Sequence, residues 1–229
     1  MRLTGLKAIV TGAEGAMGSV LVKKFLGEGV KVIGTIHAVQ RPNNAGPVVY
    51  IPADVTDEGD VTRLFRDAVS TLGGLDILVN TVGGYLPARP VVDLQVSDWD
   101  HMMNLNLRSV FLCTREALRV MRGSGYGRIV NFSAQAALHP AAGKSAYSVA
   151  KAAVSVFTEV VAKEVQRDGI TINAIAPGII DTAANRASMP GANYAEWVSP
   201  DDIAETICFL CSRGNPISGT TLRAFGRLA

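Results

Sequence analysis

Short β-branched runs alternate with longer runs of helical period along nearly the whole chain, and no other feature limits the fold as much. Leu6–Thr11, Lys31–Ile36, Val48–Ile51, Leu75–Asn80, Arg128–Phe132, Ile170–Ile175 and Thr220–Ala224 read as strands. Ala16–Glu28, Glu58–Leu72, Asp98–Arg122, Ser145–Arg167 and Asp201–Ser212 read as helices, several of them stopped by glycine. The connection Gln40–Pro47 reads as a loop without a helix. Strands separated by helices pair in parallel, and a parallel sheet needs cover on both faces. The pattern therefore predicts one α/β domain over residues 1–229, a doubly wound parallel sheet of about seven strands. Asp181–Ser199 is the least regular stretch and reads as a loop or small lid. Loops at strand C-termini are where such sheets bind ligands.

Composition fits that reading. Of 229 residues, 48% are hydrophobic and only 6% aromatic, so the core should be aliphatic. The net charge of +2 comes without a basic block, which argues against a nucleic-acid or acidic-membrane partner. No run approaches the roughly 20 apolar residues of a membrane span, and the N-terminus leads straight into a strand, as expected of a cytoplasmic chain without a signal peptide. Three cysteines, Cys113, Cys208 and Cys211, lie in apolar settings. An odd count argues for a reducing compartment. Cys208 and Cys211 have metal-ligand spacing, but no second Cys/His pair is in range, so core packing is expected and no metal site.

Two local patterns carry chemistry. Thr11-Gly12-Ala13-Glu14-Gly15-Ala16-Met17-Gly18 joins the first strand to the first helix. Glycines there let backbone approach a pyrophosphate, and the helix N-terminus offers N–H groups and the positive end of its dipole. Tyr147 and Lys151 sit one helical turn apart, which puts a phenol and an ammonium on one face. A nearby cation favours phenolate, so Lys151 is expected to lower the Tyr147 pKa and suit it to proton transfer. By spacing alone, most such pairs are a solvated helix face.

With these motifs the chain resembles the short-chain dehydrogenase/reductase family over nearly its whole length, a Rossmann-like fold. The glycine turn is similar to that family's T-G-x-x-x-G-x-G, with Ala16 in place of the middle glycine. The resemblance implies pyrophosphate contacts from Gly12, Gly15, Met17 and Gly18, and adenine contacts from Asp54 and Val55. It implies that Asn80-Thr81-Val82-Gly83 supports the sheet and passes the adenine ribose, with Asn80, Val82 and Gly83 as cofactor contacts. Pro177, Gly178, Ile180 and Thr182 would cup the nicotinamide end. Tyr147 would be the proton donor, with Lys151 binding the nicotinamide ribose. Asn106 would hold a water in the proton relay. The implied activity is hydride transfer by an NAD(P)H-dependent reductase, a homodimer or homotetramer built on the two long helices.

One position departs from the family. Its serine stands thirteen residues before the tyrosine, where this chain has Ala134. Ser133 is adjacent, but neighbours on a strand point to opposite faces, so Ser133 reads as structural. Oxyanion stabilisation would then rest on Tyr147, with Gln135 or the substrate itself as further help. The dihydropteridine reductase subgroup also has alanine there, and Val82-Gly83-Gly84-Tyr85 and Asp181–Pro190 resemble its segments. Leu94–Cys113 and Gly127–Asn131 instead resemble carbonyl and acyl-thioester reductases. Both substrates, a dihydropterin-like ring and a small carbonyl or 3-oxoacyl thioester, stay open. A third reading is a silent NAD(P)-binding sensor, for which Ala134 is the only support. No acid ends the second strand, and His37 and Arg41 could meet a 2′-phosphate, so NADP(H) is favoured over NAD(H). Tyr85, His139 and Trp197 are further candidate substrate contacts, each equally explained by loop or lid packing. His101 reads as solvated or packed.

Overall fold

The computed structural model describes residues 3–37 and 46–226. Seven parallel strands form one sheet: β1 (Lys7–Thr11), β2 (Lys31–Ile36), β3 (Val49–Pro52), β4 (Ile77–Asn80), β5 (Gly127–Phe132), β6 (Ile170–Pro177) and β7 (Thr221–Ala224). Their order is β3-β2-β1-β4-β5-β6-β7, so the chain reverses its direction of travel between β1 and β4. This is the expected doubly wound sheet.

Alternation along each strand divides the core in two. Ala8, Val10, Val32, Ile77, Val79 and Val130 point to one face, where Leu21 and Phe25 of α1 (Ala16–Gly27) meet Ile203 and Ile207 of α8 (Pro200–Leu210). Ile9, Ile33, Leu78, Ile129 and Ile172 point to the other. They are covered by α2 (Glu58–Leu72), α4 (Ser109–Met121) and α6 (Ser145–Glu164). Cys208 and Cys211 are buried in the first cluster, and burial pushes both thiols above their usual range.

Several boundaries differ from expectation. The helix expected over Asp98–Arg122 begins at α3 (Val96–Met103) and is interrupted by a π-turn over Asn104–Arg108 before α4. Periodicity does not reveal a one-residue bulge within a helix. α6 stops at Glu164 rather than Arg167, and β6 runs on to Pro177. A four-residue helix, α5 (Gln135–Leu138), follows β5. The stretch read as an irregular loop holds α7 (Ala183–Ser188), capped by the Thr182 side chain, and a 3-10 turn at Tyr194–Glu196. Of the Gln40–Pro47 connection, residues 40–45 lie outside the described residues.

Candidate active site

The glycine turn after β1, the Asp54 segment after β3 and the loops after β4, β5 and β6 leave the same edge of the sheet, since the strands are parallel. On the β1 side the site is built of backbone. Gly12 takes φ +62°, in the left-handed region that glycine tolerates. Its N–H donates to Thr35 Oγ1 (3.0 Å), and Ala13 N–H to the Thr35 carbonyl (2.9 Å), so β2 holds the turn. A Cβ on Gly18 would lie 2.2 Å from the Gly12 carbonyl oxygen, so only glycine lets α1 start this close to the turn. Gly15 is the N-cap of α1 and no side chain caps the helix. The first-turn amides face a cleft of about 480 Å³ lined by Gly12, Gly15, Met17, Gly18, His37 and Val82.

A second cleft of about 490 Å³ shares Gly12, Thr35, Ile36, His37 and Val82 with the first, and extends it to Asp54, Val55, His101 and Asn104. Asp54 Oδ1 accepts from the N–H and the hydroxyl of Thr56, which fixes its carboxylate at the cleft wall. Arg41, the other candidate for a 2′-phosphate, lies outside the described residues. The loop after β4 is tied to β1 through Thr11 Oγ1, which accepts from Thr81 N–H (3.0 Å) and Val82 N–H (3.4 Å).

Asn80 does not face this cleft with its side chain. Its amide donates to Asn131 Oδ1 (2.8 Å) and Thr114 Oγ1 (3.3 Å), and Asn131 donates in turn to Thr158 Oγ1 (2.9 Å). This buried chain ties α4, β4, β5 and α6 together. The Asn80 side chain therefore supports the sheet, as the resemblance implies.

On the β5 side the site is built of side chains. Lys151 is buried and donates from Nζ to the Phe132 carbonyl (2.9 Å). Burial lowers its pKa to about 8. Asn106, fully buried in the π-turn, donates to the Met102 carbonyl (3.1 Å) and accepts from Gly84 N–H (3.1 Å). A Cβ on Gly83 would lie 2.9 Å from Asn106 Oδ1 and 3.0 Å from Lys151 Nζ. Gly83 is thus the small residue that lets both groups meet against the β4 loop. π-turns of this kind recur at functional sites.

Tyr147 stands one turn before Lys151, with its ring edge-on to Tyr85 at 5.3 Å between centroids. Its pKa is pushed up to about 12, chiefly by burial and secondarily by Tyr85. This corrects the expectation that Lys151 lowers it. The ammonium is engaged by the Phe132 carbonyl, and desolvation of the phenolate dominates.

Ser133 is buried and donates to the Lys151 carbonyl (2.8 Å), with Ser155 Oγ at 2.9 Å. Its hydroxyl belongs to the α6 packing. Ala134 begins the turn into α5, and Gln135 is the first residue of that helix. Trp197, expected as a substrate contact, is buried and packs on Tyr194 at 4.7 Å between centroids, inside the lid. His139 sets its ring edge against Phe225 at 5.6 Å. Pro177, Gly178, Ile180 and Thr182 leave β6, where Gly178 N–H donates to the Ala224 carbonyl and Ile180 bridges to Val198. Thr35, which holds the glycine turn, and His101, which lines the second cleft, had no signal beyond their strand and helix positions.

A doubly wound sheet with a glycine turn after β1 and a Tyr/Lys pair after β5 defines an α/β oxidoreductase. The short chain dehydrogenase model matches residues 7–192, and the chain belongs to that family. It is 30% identical over 213 residues to an uncharacterized oxidoreductase of Staphylococcus aureus strain USA300, covering 90% of this chain and 91% of the relative. A 3-oxoacyl-[acyl-carrier-protein] reductase of Synechocystis is 31% identical over 226 residues, with 92% and 90% covered. Among solved structures, ElxO with NADP bound superposes with a TM-score of 0.88 at 26% identity, covering 97% of this chain and 98% of that one.

Proposed function

We propose that this protein is an NADP(H)-dependent reductase of a carbonyl compound, with Tyr147 as proton donor. The observation that carries the reading is the cluster of Lys151 and Asn106 around Gly83, with Tyr147 one helical turn away. Gly12, Gly15, Met17 and Gly18 with the α1 N-terminus would hold the pyrophosphate, a fit supported by the close approach at Gly18. Asp54, Val55, Val82 and Gly83 would take the adenosine end, and Lys151, Pro177, Gly178, Ile180 and Thr182 the nicotinamide end. His37 at the cleft mouth and the NADP in ElxO favour NADP(H), with NAD(H) the alternative.

When bound, the reduced cofactor supplies the hydride. Tyr147 stays protonated across the working pH range and gives its proton to the substrate oxygen as negative charge grows there. Lys151, one helical turn on, would hold the nicotinamide ribose beside it. Asn106 keeps the β4 loop against Lys151 through Gly84.

The Synechocystis relative favours a 3-oxoacyl thioester or simple ketone as substrate. The dihydropterin-like ring is kept as a second reading by one observation. Neither Ala134 nor the engaged Ser133 offers a serine hydroxyl tuned to a ketone. The test is NADPH and NADH oxidation with quinonoid dihydropterin, an acetoacetyl thioester and a ketone panel. Turnover of one class assigns it. Tight NADPH binding without any turnover would leave a silent sensor and sink the reductase.

The active form is proposed as a homodimer or homotetramer. Phe111 on α4 and Val149, Val156 and Val160 on α6 leave an apolar stripe 41–62% exposed. Sedimentation should give a multiple of the 24.1 kDa chain, and Val156→Glu should reduce it. A monomeric wild type would refute this. A cytoplasmic site agrees with three unpaired, buried cysteines. Among the described residues no helix is long and apolar enough to cross a membrane.

A further inference from the structure

Carbonyl reduction concentrates negative charge on one oxygen, and two preorganised donors stabilise it better than one. Ala134 has no hydroxyl, and the Ser133 hydroxyl is spent within the α6 packing. A second phenol, however, stands beside the first. Tyr85 packs its ring at 88° against Tyr147. It is half exposed and directly follows Gly84, which is bonded to the buried Asn106. Its backbone is held firmly, because Gly84 N–H donates to Asn106 Oδ1 and a Cβ on Gly84 would lie 2.6 Å from Leu105 Cδ2. The Lys144 ammonium lies 5.4 Å from the Tyr85 ring centroid, a cation that favours negative charge gathering near that ring. Tyr85 also contributes to raising the Tyr147 pKa, so the two phenols are within electrostatic reach.

We propose that Tyr85 donates its phenolic O–H to the substrate oxygen beside Tyr147, in the role that a serine at position 134 would have. Tyr85 keeps its proton throughout, and only Tyr147 transfers one. The inference rests on the reading of Tyr147 as proton donor.

Tyr85→Phe keeps the ring contact and removes only the donor. With NADPH and the N-acetylcysteamine thioester of acetoacetate, kcat should fall about 100- to 1,000-fold, the range of one lost oxyanion donor. NADPH affinity should hold. Ala134→Ser in the Tyr85→Phe background should recover most of the loss, which a packing role for Tyr85 would not allow. An independent readout is the carbonyl stretch of acetophenone bound beside NADP+. It should move to higher frequency in Tyr85→Phe and return in the double variant. Wild-type turnover and an unmoved stretch in Tyr85→Phe would overturn the proposal, as would a double variant no better than Tyr85→Phe. Tyr147→Phe separates the two failures. If Tyr147→Phe is inactive and Tyr85→Phe is normal, only the role of Tyr85 falls. If Tyr147→Phe keeps full turnover, the reading of the site falls with it.

Discussion

Around β1 the cleft is made of backbone, and around β5 and α6 it is made of side chains. The glycine turn presents amides and a helix end, and needs little more than the absence of Cβ atoms. The α6 side holds a buried ammonium, a buried carboxamide and a partly buried phenol whose pKa is raised. The first arrangement offers backbone amides and close approach. The second places groups whose burial costs stability, which is tolerated where chemistry needs them.

The contrast predicts variants that separate binding from chemistry. The largest effect belongs to Tyr147→Phe, which removes the only proton the mechanism moves. Turnover should fall by about 10²–10⁴, the range for a lost general acid, while NADPH affinity changes less than about twofold. Stopped-flow hydride transfer and cofactor fluorescence titration measure the two separately. Equal losses in both would erase the distinction between the two sides.

Gly18→Ala tests the other side. Its methyl would meet the Gly12 carbonyl at 2.2 Å, a backbone contact that cannot rotate away. Relief by shifting the turn should cost about 1–3 kcal/mol, and NADPH affinity should weaken about 10- to 100-fold. At saturating cofactor the hydride step should stay within a few-fold of wild type. A variant that binds normally would show that the turn does not cradle the cofactor.

The two sides also differed in how far they could be read from residues alone. The glycine turn and the Tyr147/Lys151 spacing are local patterns, and the sheet follows from alternation, so both were legible. What escaped depends on partners distant in sequence. The Tyr147 pKa is set by burial and by Tyr85, 62 positions away, and the spacing to Lys151 pointed the wrong way. Asn80 joins Thr114, Asn131 and Thr158 only once four elements pack. Trp197 reads equally as a ligand platform or as lid packing, and its contact with Tyr194 exists only in the folded loop. The π-turn that aims Asn106 is a one-residue change in helix register, beneath the resolution of periodicity.

The smallest effect, on folding rather than turnover, follows from Lys151. Its folded pKa of about 8 lies below the usual 10.5, so folding disfavours its charged form. Below pH 8 both folded and unfolded chains carry the proton, and the buried charge costs on the order of 3 kcal/mol. Between pH 8 and 10.5 the folded chain sheds the proton while the unfolded chain keeps it, so this contribution to stability rises with pH. Lys151→Met removes the charge but leaves the Phe132 carbonyl without its donor, which returns about 1–2 kcal/mol of the gain. Urea unfolding at pH 7 should therefore show the inactive variant more stable by about 1–2 kcal/mol. The rise in stability from pH 8 to 10.5 should be smaller than in wild type. Gly18→Ala changes no ionisable group and should carry no such signature. A Lys151→Met protein less stable than wild type at pH 7 would mean that the ammonium holds the fold together, and the contrast between the two sides would fail.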